Sequence, residues 1–181
     1  MRNMEYDRRV STYVFTYGKK IDSGSLMCYL YFAQKVGFDL GFNFRASCSG
    51  VTSRKAEGYI GDLLTNDLLC YDSQSLSYTY NVTRDNEVRI KCIDLDVLDA
   101  IVTLMGDLSA WELSFVATLD ILQDDAYHTL SGQAFDYEDV KSMVVASMKR
   151  FCNGYTNELF EAASERLVHL YELKSKFNLE V

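Results

Sequence analysis

The period of the hydrophobic pattern changes repeatedly between residues 19 and 92, and this constrains the fold more than any other feature of the chain. Apolar residues at helical spacing predict helices over 23–36 and from about 53 to 65. Between them, apolar and polar residues alternate over 38–45, which predicts a short, half-buried strand. The first of these helices is apolar on nearly every side and is expected to be buried on most of them.

Alternating residues follow the second of these helices. They predict strands over 68–71, 76–83 and 88–92, and a polar turn at 84–86 joins the last two as a hairpin. A further helix is predicted near the start of the chain, over 5–17. This order of elements predicts an α+β fold, a winged helix-turn-helix with a three-strand antiparallel wing.

The second half of the chain has a helical pattern. Ser109 and Glu112 have the spacing of a capping box, which marks the start of a helix. We expect a winged-helix-like domain over 1–93 and an appended C-terminal helical subdomain over 94–181 packed on it. The predicted helices of this subdomain span 94–105, 109–123, 136–151 and 156–177.

Charge is distributed unevenly along the chain. Residues 1–60 contain nine Lys and Arg against five Asp and Glu, a net charge of +4, whereas residues 61–181 contain nine against twenty-one, a net charge of −12. A basic segment on an acidic body is typical of some nucleic-acid-binding proteins, yet it also occurs where charge serves solubility alone. Both interpretations stay open, as does a third, in which the acidic half mimics nucleic acid and blocks a basic partner.

The predicted helix at 53–65 carries the candidate binding residues. Arg54 and Lys55 lie in its first turn, where the helix dipole disfavours cations in the free protein, so an anionic partner would explain them. Basic side chains at the start of a recognition helix are typical of winged helices that bind DNA. We expect the site on the surface formed by this helix, the loop 45–53 and the wing. The predicted partner-binding or DNA-binding residues are Lys19, Lys20, Arg45, Ser53, Arg54 and Lys55.

The wing weakens the case for DNA. Its predicted tip, at 72–75, carries no basic residue, whereas affinity for a duplex needs several phosphate contacts. We expect a non-catalytic regulatory or interaction protein that binds a protein partner, as an antitoxin, an adaptor or an inhibitor does. The alternative is a homodimeric DNA-binding transcriptional regulator that reads the duplex through the helix at 53–65.

The sequence lacks the motifs of common enzymes and metal sites. It has no glycine-rich phosphate loop, no GxSxG and no HExxH, and its five cysteines are too widely spaced for a zinc site. We therefore expect no catalysis, no cofactor and no metal. Since no apolar run approaches the ~20 residues of a membrane span and the N-terminus has no signal-peptide pattern, we expect a cytoplasmic protein without membrane contact.

Residues dispersed along most of the chain resemble one family. In the first half they are Tyr17-Gly18-Lys19-Lys20-Ile21, Leu26, Tyr29-Leu30-Tyr31, Gln34, Phe42, Phe44 and Thr52-Ser53. In the second half they are Ser109, Trp111-Glu112-Leu113, Ala117-Thr118-Leu119, Lys149–Phe151 and Ala162–Leu167. The chain resembles the YwgA-like uncharacterised proteins of bacteria and archaea and, more distantly, is similar to the SocA/Panacea-type antitoxin domain.

The resemblance implies a winged-helix-like module without catalysis. Some relatives act as toxin-neutralising or proteolytic-adaptor proteins. Relatives commonly carry a Tyr-Gly-Pro-Tyr-Ser motif before the third helix, whereas this chain reads Cys-Ser-Gly-Val-Thr-Ser over 48–53 and keeps only Gly50 and Ser53. If that motif contacts a partner, the partner of this chain is expected to differ.

Overall fold

The fold is α+β, as the sequence predicts. The computed structural model describes residues 3–81, 90–131 and 136–180, with side chains as far as 176. These ranges contain seven helices and two small antiparallel sheets.

The three helices predicted in the first half of the chain appear in order, whereas its strands differ in part from the prediction. The helices are α1 (Met4–Thr16), α2 (Ser23–Val36), α3 (Arg54–Thr65), α4 (Cys92–Met105), α5 (Ala110–Leu130), α6 (Tyr137–Phe151) and α7 (Asn157–Glu180). The strands are β1 (Ile21–Asp22), β2 (Arg45–Ser47), β3 (Gly50–Thr52), β4 (Leu69–Asp72) and β5 (Ser77–Tyr80). The predicted helices at 5–17, 23–36 and 53–65 are confirmed, with ends that shift by a residue or two.

The larger sheet has the strand order β1-β5-β4, with both pairs antiparallel. The predicted strands at 68–71 and 76–83 correspond to β4 and β5. The third strand described in this sheet is β1. Of the predicted strand at 88–92, residues 88 and 89 lie outside the described residues, 90 and 91 are not in a strand, and Cys92 begins α4. The predicted turn at 84–86 lies outside the described residues.

The segment 38–45 alternates in burial as predicted, but it is not a strand up to Phe44. Its backbone is held by a side chain instead. The Gln34 amide nitrogen donates to the Phe42 carbonyl at 2.9 Å, and the Phe42 N–H donates to the Gln34 Oε1 at 2.9 Å. One amide thus satisfies the two backbone groups that a neighbouring strand would otherwise pair. The predicted loop that follows is a hairpin of β2 and β3.

Helix α5 shows where local signals succeed and where packing overrides them. Ser109 and Glu112 form the predicted capping box, with the Glu112 N–H donating to Ser109 Oγ at 3.3 Å. The helix continues to Leu130, beyond its predicted end at 123, and Ala126 in this extension is buried.

Within the described ranges, no single helix is long and apolar enough to cross a membrane. Helices α4 and α5 have the required length and apolarity only when they are taken together, and they are bent by 111° relative to each other.

Helix α2 lies at the centre of the core, as its apolar pattern predicts. Leu26, Leu30 and Phe32 are completely buried, and α2 contacts α1, α4, α5 and α7. Helix α1 also reaches across the predicted boundary at 93, because the Tyr6 hydroxyl donates to Asp94 Oδ2 at 2.9 Å. The two halves of the chain therefore share one core.

A buried carboxylate joins three helices inside this core. Asp120 of α5 is 1% exposed and accepts hydrogen bonds from Tyr31 of α2 and Tyr171 of α7, both at 2.7 Å. Lys35 Nζ lies 3.4 Å from Asp120 and 2.6 Å from Asp124. Burial lowers the pKa of Lys35, but the two carboxylates outweigh it and the net shift is upward. Burial and the Asp120 charge together raise the pKa of Tyr31.

Candidate functional site

The β2–β3 hairpin is the element around which the site is built. Its register pairs Arg45 with Thr52 at the open end and Ser47 with Gly50 at the turn. The Ser47 hydroxyl donates to the Gly50 carbonyl at 2.8 Å and so closes the turn. Gly50 has φ +104°, and a Cβ there would lie 2.5 Å from Ser114 Oγ. Glycine therefore permits both the turn and the close approach of the hairpin to α5.

Gly50→Ala is expected to lower the free energy of unfolding by about 2 kcal/mol or more, because it adds a clash with α5 to an unfavourable φ. Adding Ser114→Ala removes the clash but leaves the backbone strain, so the double variant should recover only part of the loss. Urea denaturation of both variants measures this. Full recovery in the double variant would show that the backbone is not strained at this position.

A basic cavity of about 380 Å³ opens at the start of α3. Four of the six predicted site residues, Arg45, Ser53, Arg54 and Lys55, lie in its wall. The Ser53 hydroxyl accepts from the Ala56 N–H at 3.4 Å and caps α3, so it orients the helix start. The full lining of this basic cavity is Asn43, Arg45, Thr52, Ser53, Arg54 and Lys55.

Three cations of the basic cavity have no counter-ion within the described part of the chain. Arg45, Arg54 and Lys55 are exposed and form no ion pair with any described residue. The N-terminal end of the α3 dipole adds to their positive potential. Guanidinium groups bind carboxylates and phosphates through paired hydrogen bonds. The cavity therefore suits an anionic group.

The two other predicted residues, Lys19 and Lys20, do not line this cavity. Lys20 instead forms an ion pair with Asp72 at the end of β4, with Nζ and Oδ2 2.9 Å apart. Hydrogen bonds from Ser75 and from Lys20 hold the pKa of Asp72 well below its usual range. The β4–β5 pair therefore brings a carboxylate to Lys20, which partly neutralises the charge of that lysine. Sequence reasoning missed this pairing because it joins residues that are far apart in the chain.

An apolar cavity of about 470 Å³ opens at the turn end of the hairpin. Trp111 is 43% exposed there although it is large and apolar, and its ring centroid lies 5.5 Å from that of Phe115. Sequence reasoning did not assign this cavity, since its wall comes from four separate segments. The lining is Gly24, Ser47–Val51, Ala110, Trp111, Ser114, Phe115, Thr118, Phe151, Cys152 and Asn153.

Two hydroxyl groups in the apolar cavity are available to a ligand. Ser114 and Thr118 lie one turn apart on α5, and Thr118 is 1% exposed. Neither side chain forms a hydrogen bond with any residue in the described ranges. Thr118 Oγ1 is not one of the fully enclosed unpaired atoms of the described residues, so a ligand in the cavity can reach it and form a hydrogen bond that the protein does not supply.

The two cavities adjoin along one strand. Arg45 lines the basic cavity, and Ser47 of the same strand lines the apolar cavity. Two residues of a strand span roughly 7 Å. The basic wall and the apolar wall therefore lie roughly 7 Å apart along β2.

The titratable groups near the cavities do not form a recognisable catalytic arrangement. In the ranges that the structure describes, no three His, Cys, Asp or Glu side chains come together as a metal site. Cys48 and Cys152 line the apolar cavity without a histidine beside them, and burial raises the pKa of the Cys152 thiol. These thiols therefore give no support for nucleophilic catalysis.

Comparisons of the chain with protein-family models, with curated proteins and with solved structures find no match. The resemblance to the YwgA-like proteins thus stays a prediction.

Proposed function

We propose that this chain is a non-catalytic interaction module that binds an acidic segment of a partner protein in the basic cavity. The observation that carries this proposal is the convergence of Arg45, Arg54 and Lys55 on one cavity, without a counter-ion among the described residues. Cations at the start of a helix face an unfavourable dipole, and an anionic partner offsets that cost.

The architecture around the site supports the further proposal that the first half of the chain is a winged helix. Three helices are followed by the antiparallel β4–β5 pair, and β1 extends the same sheet. In this interpretation α3 is the recognition helix and β4–β5 is the wing. Winged helices bind proteins as well as DNA, so the architecture alone does not choose the partner.

The size of the positive patch favours a protein partner over a duplex. A duplex presents a continuous row of phosphates, and specific binders usually make many ionic contacts to it. Here the basic cavity supplies three cations, and Lys20 at the wing is paired with Asp72. Residues 61–181 carry a net charge of −12, which repels a polyanion at longer range. A short acidic segment needs only the cavity.

A selection from a displayed library of random peptides tests the proposal. The unmodified protein is expected to enrich peptides rich in Asp and Glu, and Arg54→Glu/Lys55→Glu should weaken binding of the enriched peptides at least about tenfold. Arg150→Glu/Lys176→Glu is the matched control, because it makes the same charge change at exposed residues that line neither cavity. Circular dichroism confirms that both variants fold. Equal enrichment of neutral peptides would overturn the proposal.

DNA binding is the second candidate, favoured by the position of Arg54 and Lys55 in the first turn of α3. Titration of a random 20-base-pair duplex from low to physiological salt separates the two candidates. Three phosphate contacts predict a salt slope no steeper than about −3 and weak binding. Micromolar binding with a steeper slope, lost in Arg54→Glu/Lys55→Glu, would replace the protein partner with DNA.

A further inference from the structure

We infer that the partner segment is an extended peptide that inserts an apolar side chain into the apolar cavity and places a carboxylate, two residues away, in the basic cavity. This inference rests on the proposed function, and it adds the second contact and its spacing.

The apolar cavity has the properties of a pocket for a single anchor residue. Its volume of about 470 Å³ lies within the range of small-ligand sites. Aromatic rings of Trp111, Phe115 and Phe151 form one wall. Trp111 remains 43% exposed, and tryptophan is over-represented among the residues that dominate binding energy at interfaces. An aromatic or large aliphatic side chain would cover this ring.

The hydroxyl groups of the apolar cavity indicate a peptide rather than a purely apolar ligand. Thr118 is 1% exposed and Ser114, one turn earlier on α5, is half-buried; neither side chain hydrogen-bonds to a residue of the described ranges. A hydrocarbon chain would bury these hydroxyls and leave them unsatisfied, which is unfavourable. A peptide backbone supplies an N–H and a carbonyl at each residue, so it can satisfy both.

The distance between the cavities sets the spacing of the two ligand groups. Arg45 and Ser47 on β2 are separated by roughly 7 Å along the strand. An extended peptide has the same rise per residue as a strand, and the side chains of its residues i and i+2 point to the same side. One such pair matches the two cavities, while the residue between them faces away and is free to vary.

The positive charges next to the apolar cavity indicate that the bound peptide carries a carboxylate. Arg45, Arg54 and Lys55 line the basic cavity at the open end of the hairpin, and no acidic side chain lies in its wall. A peptide that carried only the apolar group would leave these cations without a partner. A basic peptide would be repelled.

The single tryptophan of the chain gives a direct readout, because the only indole is that of Trp111. The probes are two blocked pentapeptides, with phenylalanine and glutamate at the second and fourth positions in either order and serine elsewhere. At least one order is expected to change the Trp111 emission in a saturable manner. Replacing its phenylalanine with alanine, or its glutamate with glutamine, should each weaken binding about tenfold or more.

Protein variants assign the two contacts to the two cavities. Thr118→Val keeps the shape of the side chain, and it should weaken the phenylalanine–glutamate peptide several-fold without lowering stability. Arg54→Glu/Lys55→Glu should weaken the glutamate peptide to the level of the glutamine peptide, whereas Arg150→Glu/Lys176→Glu should change neither. Melting temperatures of all variants show whether a loss of binding reflects a loss of folding.

The outcomes separate this inference from the proposed function. If the alanine peptide binds as well as the phenylalanine peptide while the glutamine peptide does not, the basic cavity binds an acidic segment and the apolar anchor is wrong. A further peptide separates phenylalanine and glutamate by three residues instead of one. If it binds with the same affinity, the inferred spacing is wrong. If no peptide binds at low salt, both the inference and the proposed function are overturned.

Discussion

Asp120→Ala is expected to lower the free energy of unfolding by about 3 to 5 kcal/mol, the cost of removing one partner from a buried ionic network. Asp120 is 1% exposed and accepts hydrogen bonds from Tyr31 and Tyr171. Its loss leaves two phenol hydroxyls without an acceptor and removes one counter-ion of Lys35. Because these residues belong to α2, α5 and α7, the change loosens all three helices at once.

Asp124→Ala is the matched control, since Asp124 also pairs with Lys35 but has a side chain that is 51% exposed. Exposed ion pairs contribute about 0 to 1 kcal/mol, so its loss should be several-fold smaller. Urea denaturation at neutral pH measures both variants. Similar losses for Asp120 and Asp124 would mean that the buried carboxylate does not organise the three helices.

Tyr80→Ser is expected to cost about 3 kcal/mol or more, through the loss of buried aromatic area and the cavity that remains. Tyr80 is 4% exposed at the end of β5 and pairs with Leu69 of β4. Its ring meets that of Tyr13 edge to face, with centroids 5.1 Å apart. The residue therefore fixes the β4–β5 pair against α1.

Tyr71→Ser provides the comparison for Tyr80, because both tyrosines lie in the same sheet and Tyr71 is 49% exposed. Its substitution should cost less than about 1 kcal/mol. Thermal unfolding followed by circular dichroism measures both. An unchanged melting temperature for Tyr80→Ser would contradict the packing of β5 on α1.

Helices were predictable from the sequence because their signals are local. The apolar residues of α2 follow one another within a single helix, and Ser109 and Glu112 of the capping box are three residues apart; both features appear in the structure. The end of α5 was not predictable in this way. The helix continues past residue 123 because Ala126 packs in the core. The spacing of residues in the sequence does not show which helical turns pack against a neighbouring helix.

Strands were less predictable because their pairing is not local. Residues 38–44 alternate like a strand, yet the Gln34 side chain takes the place of a neighbouring strand. The hairpin of β2 and β3 has strands of three residues each, too short to show a period. Its one sequence signal is Gly50, whose positive φ and contact with Ser114 require glycine.

The basic cavity of the candidate site was predictable from the sequence, whereas the apolar cavity was not. Arg45, Arg54 and Lys55 are close in sequence to the start of α3, so their convergence follows from the helix and its preceding loop. The apolar cavity joins the hairpin to Trp111 and Phe151, which approach it only through the packing of α5 and α6. The one clue in the sequence was the single tryptophan, placed two residues after the helix cap Ser109.

The most direct measurement is a nuclear magnetic resonance titration of the ¹⁵N-labelled protein with an acidic peptide enriched from the displayed library. The chain has one indole N–H, so the signal of Trp111 is unambiguous. If the hairpin and its two cavities form the site, the largest shifts should fall on this indole and on the backbone amides of 45–55. Shifts concentrated on α6 and α7, with the indole and the hairpin unchanged, would place the binding site elsewhere.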